Sequence, residues 1–393
     1  MKLYYLFCNG SRGDCEPAIA LAQYMINQGN NVCIYANINN KNLLERSKIS
    51  YKIIMNNYIT KQPEDVSPLE YYTEFKTGIK FHINNIMSIQ EKPDIVIGMG
   101  DMLGKFLAEK FKVPYYQLVL QYYHVPSSAA NKSYLEVFLE TLERYYRKFT
   151  SRNELDYFNK MRQAINLPPI NDFIDYIQNN EIKYGKTIVA NSMILSNFNY
   201  IRHDQVFISG NLNLSTPLDL SINDNINMRK FLKEKTKYVY LNLGSMSQTV
   251  DDSLFNLYQQ AFKDIDCKVI ISCNRKNHSK NKQFYFCKSI DQHELFQKID
   301  LIIQCGGLGT VFKAAYYGVP QLIVPKNFEE PFWADKFKEL GCGDSIPFKS
   351  LNSENLKLAV ENLLNNNIIN YNAAILAKSI DINGVENIYN YIN

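Results

Sequence analysis

Short β-branched or aromatic runs stand at residues 2–8, 31–36, 50–54, 94–98 and 115–120, and helix-like segments lie between most of them, at 17–28, 67–86 and 102–111. This alternation constrains the chain more than any other feature. A strand, a crossover helix and a second strand build a parallel sheet, and a parallel sheet needs helices over both faces. Pro17 at a helix's first turn and Gly29 near its end have the expected asymmetry. Two charged, aromatic-rich helices are expected over 132–165, then a break at "LPPIND", then strands at 186–191 and 206–209. The polar stretch 213–235 lacks strand pattern and reads as a linker. A second series follows, with strands near 238–243, 267–272, 283–287, 300–304 and 320–324. The expectation is two doubly wound, Rossmann-like α/β domains in tandem.

Length agrees, because 393 residues exceed what one core usually serves. Hydrophobic residues make up 46% and charged residues 21%, as in a soluble globular protein. A net charge of +4 carries no nucleic-acid signature. The eight cysteines form no CxxC pair and several sit in strand-like runs, which predicts buried free thiols in a reducing compartment. No apolar stretch is long enough to span a membrane, and the apolar core of "MKLYYLFCNG" is too short for a signal peptide, so the expected location is cytoplasmic.

Two loops attract chemistry. In "DLIIQCGGLGT", 300–310, a buried strand runs into glycines and a helix begins. Glycines let backbone approach a ligand, and the helix's free N–H groups and positive dipole end favour phosphate. Thr310 adds a hydroxyl. "GSRGDCEP", 10–17, follows the first strand and is open to three readings: an ordinary strand-to-helix turn, a phosphate cradle, or a loop that aims a carboxylate. Asp14 is accordingly either the N-cap of a helix starting near Pro17 or a general base.

The stretch 300–343, "DLIIQCGGLGTVFKAAYYGVPQLIVPKNFEEPFWADKFKELGCG", resembles the "HHGGxGT…AGVPQ…P…DQPFWA…ELGxG" donor signature of GT-B-fold nucleotide-sugar glycosyltransferases. The resemblance is to the branch of the UDP-glycosyltransferase superfamily that decorates antibiotics, macrolides and sterols, whose members also open with "GSRGD". "EKFKVPYYQL", "INLPPI" and "LNLGSMS" fall in family order between the two ends. It implies a GT-B fold facing across a cleft: an acceptor domain at 1–212, the linker at 213–235, a donor domain at 236–378 and a helix from 379–393 packing back on the first domain.

The resemblance also implies roles. Asp14 stands where the wider superfamily has the His of "GHxxP" and would take the acceptor hydroxyl's proton. Gly244, Ser245, Cys305, Gly306, Gly307, Gly309 and Thr310 would face the donor's phosphates, Gln292 its base, and Glu329 and Glu330 its sugar hydroxyls. Ser11 would line the acceptor side; Tyr123 and His124, which follow a strand end of the first domain, would contact the acceptor there, with His124 open to two other readings, an alternative base or a plain loop residue. The chain departs from the pattern at Gln304 and Cys305, which replace "HH", at Glu329 and Glu330, which replace "DQ", and at Asp291, which replaces a Pro.

The activity implied is inverting transfer from a UDP- or dTDP-sugar to a small-molecule or lipid-like hydroxyl, with no metal or other cofactor and no nucleic-acid partner. Alternatives are a silent nucleotide-sugar-binding partner and a GT-B-fold epimerase. A dehydrogenase would need GxGxxG after the first strand, and "GSRGDC" lacks the third Gly. Asp264-Ile265-Asp266 reads as a solvated turn, the five histidines show no ligand spacing, and the basic helix at 142–152 offers at most a peripheral membrane contact.

Overall fold

The computed structural model describes residues 1–10, 12–55, 81–99, 102–120, 152–172, 176, 187–195, 206–213, 218, 222, 225–242, 252–273, 282–287, 290–326 and 330–393. They form two compact units, Met1–Ser215 with Asp381–Asn393, and Thr216–Ile380.

The first unit runs β1 (Leu3–Cys8), α1 (Arg12–Asn27), β2 (Asn31–Asn37), α2 (Lys41–Ser47), β3 (Tyr51–Met55), β4 (Ile95–Met99), α3 (Met102–Phe111), β5 (Tyr115–Val119), α4 (Arg152–Ala164), β6 (Thr187–Val189) and β7 (Val206–Ile208). Its strands pair in parallel in the order β3-β2-β1-β4-β5-β6-β7. β4 is buried along its whole length and β1 from Tyr4 to Cys8, as the near-continuous apolar runs require of a sheet covered on both faces. Tyr5, Phe7, Cys33, Tyr35 and Val96 turn to one face and pack under Leu103, Phe106 and Leu107 of α3. Phe7 stacks on Tyr35 with ring centres 4.7 Å apart.

The second unit runs α5 (Ile226–Phe231), β8 (Lys237–Asn242), α6 (Asp252–Phe262), β9 (Cys267–Ser272), β10 (Phe284–Cys287), α7 (Gln292–Phe296), β11 (Leu301–Gln304), α8 (Leu308–Tyr316), β12 (Gln321–Ile323), α9 (Glu330–Glu339), β13 (Gly343–Ser345), α10 (Ser353–Asn365) and α11 (Asn367–Ser379). Its parallel order is β10-β9-β8-β11-β12-β13. Successive residues of a strand serve opposite cores. Val239 and Leu241 of β8 join Phe262, Leu356 and Val360 on one face, while Tyr238 and Tyr240 join Ile270, Leu295 and Ala314 on the other.

The chain returns to the first unit as α12 (Gly384–Ile392), which packs on α1. Tyr391 stacks on Phe207 at 4.0 Å, and Tyr4 and Lys2 both donate to Asn393 Oδ1. Asn387 donates to the Ser209 carbonyl at 2.8 Å.

Two expectations need correction, and one strand was not foreseen. α1 starts at Arg12, so Pro17 lies inside the helix and Asp14 belongs to its first turn; the reading of Asp14 as the N-cap of a later helix falls. Part of the stretch read as a linker is α5, whose Met228 is buried beside Ile222 in the second unit's core. β13 carries no apolar run, and pairing with β12 alone makes it a strand. The aromatic helices expected at 132–165 are described only from 152 onward, as α4, and the helix expected at 67–86 only from 81. All eight cysteines are buried and free.

Gly384 is the tightest point of the α12 joint, since a β-carbon there would lie 2.5 Å from the carbonyl oxygens of both Gly210 and Asn211. Backbone oxygens held in the fold cannot yield, so Gly384→Ala should destabilise the first unit by about 1–3 kcal/mol. A calorimetric melting curve checks this, with the drop confined to the first unit's transition.

Candidate functional site

In an open doubly wound sheet, ligands sit beyond the carboxyl ends of strands, where the strand order reverses. The first unit reverses between β1 and β4, and the second between β8 and β11. The loops after β1 and β11 are the two that the sequence marks.

After β11 the backbone passes through Cys305, Gly306 and Gly307 into α8. Gly306 has φ +107°, a region open to glycine, and a β-carbon on it would meet the Glu330 Cα at 3.0 Å. Gly307 has open space where a side chain would project, and no side chain caps α8 there. Thr310 N–H and Val311 N–H both donate to the Gly307 carbonyl at 3.0 Å, so the helical ladder begins at once. The first turn, with Gly309 and Thr310 half-buried, therefore presents N–H groups and a positive dipole end.

Cys305 is buried, and burial with the adjacent Glu330 carboxylate pushes its thiol up to about 12, so it is neutral at physiological pH. Its sulfur is hydrogen-bonded to Glu330 and to Gly307 N–H. Glu330 Oε2 in turn accepts from Lys326 N–H at 2.7 Å. Two departures from the resembled pattern thus contact each other. Gln304, buried under the loop, donates to Gln321 Oε1, and Gln321 donates to the Val311 carbonyl at 3.1 Å, tying β11, β12 and α8 together.

Gln292 is the first residue of α7, half-buried. Asp291 before it caps the helix, accepting from His293 N–H at 2.8 Å, which accounts for an acidic residue in place of a proline. α7 packs on α8, with His293 Nδ1 3.1 Å from the Tyr317 hydroxyl. Trp333 is fully buried between Phe312 and Phe332 and serves packing.

In the first unit Asp14 is half-buried in the first turn of α1, and its carboxylate lies where a side chain on Gly10 would be. Arg12 pairs with Glu16 at 2.6 Å. Asn37 and Asn40, which the sequence reading passed over, hold the carbonyls of Asn9 and Gly10. Their only sequence signal is an amide at the polar end of a strand, "NVCIYANINN".

Ser11, Tyr123, His124, Gly244, Ser245 and Glu329 lie outside the described residues. Among the described residues no group of three or more His, Cys, Asp or Glu side chains is placed to hold a metal, and no helix is long and apolar enough to cross a membrane. Asp264 is paired with Lys357 at 3.0 Å, which holds its carboxyl below the usual range. A cavity of about 530 Å³ borders it, at the amino ends of β8 and β9 and so away from the glycine loop.

Residues 258–382 match the family described as Erythromycin biosynthesis protein CIII-like, C-terminal domain. A Bacillus subtilis (strain 168) protein named "Uncharacterized UDP-glucosyltransferase YdhE" is 30% identical over 135 residues, 33% of this chain and 34% of that one. The sterol 3-beta-glucosyltransferase of Pichia angusta is 22% identical over 433 residues, covering 98% of this chain and 33% of its own. The chain thus spans about a third of the length of each of these relatives. Among solved structures, the glycotransferase of kitacinnamycin has a TM-score of 0.74 at 14% identity, covering 100% of this chain and 98% of that one. The glycosyltransferase VinC in complex with dTDP has a TM-score of 0.67 at 17% identity, covering 99% and 98%. The fold is therefore the GT-B arrangement of two parallel-sheet α/β domains, and the resemblance to antibiotic and sterol glycosyltransferases is borne out.

Gly306→Ala tests the loop. Forcing a side chain into this backbone region costs about 1–3 kcal/mol before any displacement of Glu330. The variant should melt lower and lose most of the protection that dTDP or UDP gives the parent protein; equal melting and equal protection would show that the loop neither needs glycine nor meets the nucleotide.

Proposed function

We propose that this chain is a glycosyltransferase that moves a sugar from a uridine or thymidine diphosphate sugar to a hydroxyl of a small-molecule or lipid-like acceptor, with inversion at the anomeric carbon. The observation that carries the reading is the Asp14 carboxylate, held over Gly10 at the carboxyl rim of the first sheet, beside its switch point. Asp14 accepts the acceptor's proton as the hydroxyl oxygen bonds to the anomeric carbon. The bond from that carbon to the β-phosphate oxygen breaks on the opposite face, and the electron pair leaves with the nucleoside diphosphate.

The negative charge that develops on the diphosphate is met by the N–H groups and dipole of α8, reached through Gly306 and Gly307. That supply of positive field supports a reaction that proceeds without a metal. Gln292 reads the nucleotide base, Thr310 adds a hydroxyl to the phosphate contacts, and Glu330 meets the donor sugar. Gly244, Ser245 and Glu329 share the donor's phosphates and sugar, and Ser11, Tyr123 and His124 contact the acceptor. Relatives named as UDP-glucosyl- and sterol glucosyltransferases, and a structural neighbour holding dTDP, support this choice of donor and acceptor chemistry.

Asp14→Asn tests the mechanism, because it keeps the side chain's shape and removes the base. Turnover of UDP-glucose and dTDP-glucose against 4-methylumbelliferone and ergosterol should fall by about 10²–10⁴. Calorimetric titration with dTDP and UDP should be unchanged in the variant, and unchanged by EDTA in the parent. Near-normal turnover would move the base elsewhere, with His124 next in line. Donor binding by the parent protein with no transfer to any acceptor hydroxyl would favour the silent binding partner. Binding abolished by the chelator would overturn the metal-free reading.

A further inference from the structure

Seven residues into β2 the ladder slips. Ala36 pairs with Ile53 of β3 while Asn37 pairs with Met55, so the additional residue, Ile54, lies on β3, and β2 keeps its register with β1 on the other side. Asn37 follows Ala36, which pairs with Cys8 of β1, and so lies beside the β1–α1 loop, where its Nδ2 donates to the Asn9 carbonyl at 2.6 Å and the Gly10 carbonyl at 2.8 Å. Its Oδ1 accepts from Asn39 N–H at 3.0 Å and from Asn40 Nδ2 at 3.3 Å. Asn40 Nδ2 also donates to the Gly10 carbonyl at 3.0 Å. Both side chains are almost fully buried, at 1% and 3% exposure.

Each amide has one orientation that works. Turning Asn37 over would face its oxygen to two carbonyls and its NH₂ to two donors, and turning Asn40 over would lose both of its bonds. The Gly10 carbonyl, fixed by two donors, belongs to the residue whose Cα lies against the Asp14 carboxylate. A buried network in which both amide NH₂ groups have two acceptors each is stiff, and stiffness at this point is what a positioned base needs.

We infer that Asn37 and Asn40 are positioning residues for Asp14, locking the β1–α1 loop so that the carboxylate is held ready for the acceptor hydroxyl. The inference rests on Asp14 being the base in the reading above. Neither asparagine touches a reacting atom; both act through the Gly10 backbone.

The test compares Asn37→Asp, Asn40→Ala and Asn30→Ala. Asn37→Asp keeps the size and the acceptor for Asn39 N–H but removes both donors to the loop. Asn30 is the control: it makes a like set of bonds in the same unit, accepting from Lys2 N–H at 3.0 Å and donating to the Met25 carbonyl and the Tyr389 hydroxyl. Hydrogen exchange should quicken in peptides covering 9–18 for the two loop variants and not for Asn30→Ala. Turnover in the UDP-glucose and dTDP-glucose assay should fall about 10–10²-fold in kcat, the scale of a misplaced catalytic group, with KM for the donor unchanged. Asn30→Ala should lower Tm and leave kcat as it was. Unchanged exchange over 9–18 in both loop variants overturns the inference, as does a kcat loss matched by the control. If Asp14→Asn retains full turnover while exchange responds as expected, the reading of Asp14 has failed and the anchoring of the loop stands.

Discussion

Parallel pairing is the constraint on which the rest of this protein depends. Each parallel neighbour must be reached by a crossover, and each crossover helix brings the chain back so that its amino end lies at the rim where strands finish. All the neighbouring strand pairs in both sheets are parallel, so helix amino ends and strand carboxyl ends share one rim in each unit. Positive dipole ends, unpaired N–H groups and loop side chains are concentrated there by topology alone. The cavity beside Asp264 lies at the opposite rim of its sheet, where strands begin, and none of the described candidate site residues lines it.

Within that frame the two loops are built by different means. The loop after β11 gains its shape from absence: Gly306 adopts a conformation few other residues tolerate, and α9 approaches within contact of its backbone. Beneath it the buried Gln304–Gln321 pair links two strands and the first helical turn with neutral hydrogen bonds. Neutral amides avoid the desolvation that a buried charge would cost. The loop after β1 is instead held from the side, by amides from the next strand gripping its carbonyls.

Cys305 and Glu330 illustrate how departures from a pattern make sense together. A thiol alone is a weak donor where the resembled pattern has an imidazole, and a carboxylate cannot donate where that pattern has an amide. In contact, the thiol hydrogen serves the carboxylate, and Lys326 N–H serves it further. The Glu330 carboxylate is thus met by Lys326 N–H from the loop before it and by the Cys305 thiol from the loop after β11.

Sequence alone determined the strand and helix series, because hydrophobic periodicity is a local property and both faces of a parallel sheet demand apolar runs. Most strands fall within a residue of the expected bounds, and the glycine turn from β11 into a helix was legible from residue types and spacing, whereas Asp14 stayed open between a cap and a base on residue types alone. Strand order was not legible: that β1 lies beside β4 and β8 beside β11 is decided by which helices cover which face, and this decides where each switch point falls. Pro17 misled as a helix start because the first turn gathers around Asp14 and Gly10 instead. α5 hid in a polar stretch because one buried methionine is too little for periodicity to register. Asn37 and Asn40 were invisible for the same reason in reverse: a polar residue at a strand end looks like any loop, and only the pairing of β2 beside β1 sets Asn37 against a neighbour 27 residues away in sequence.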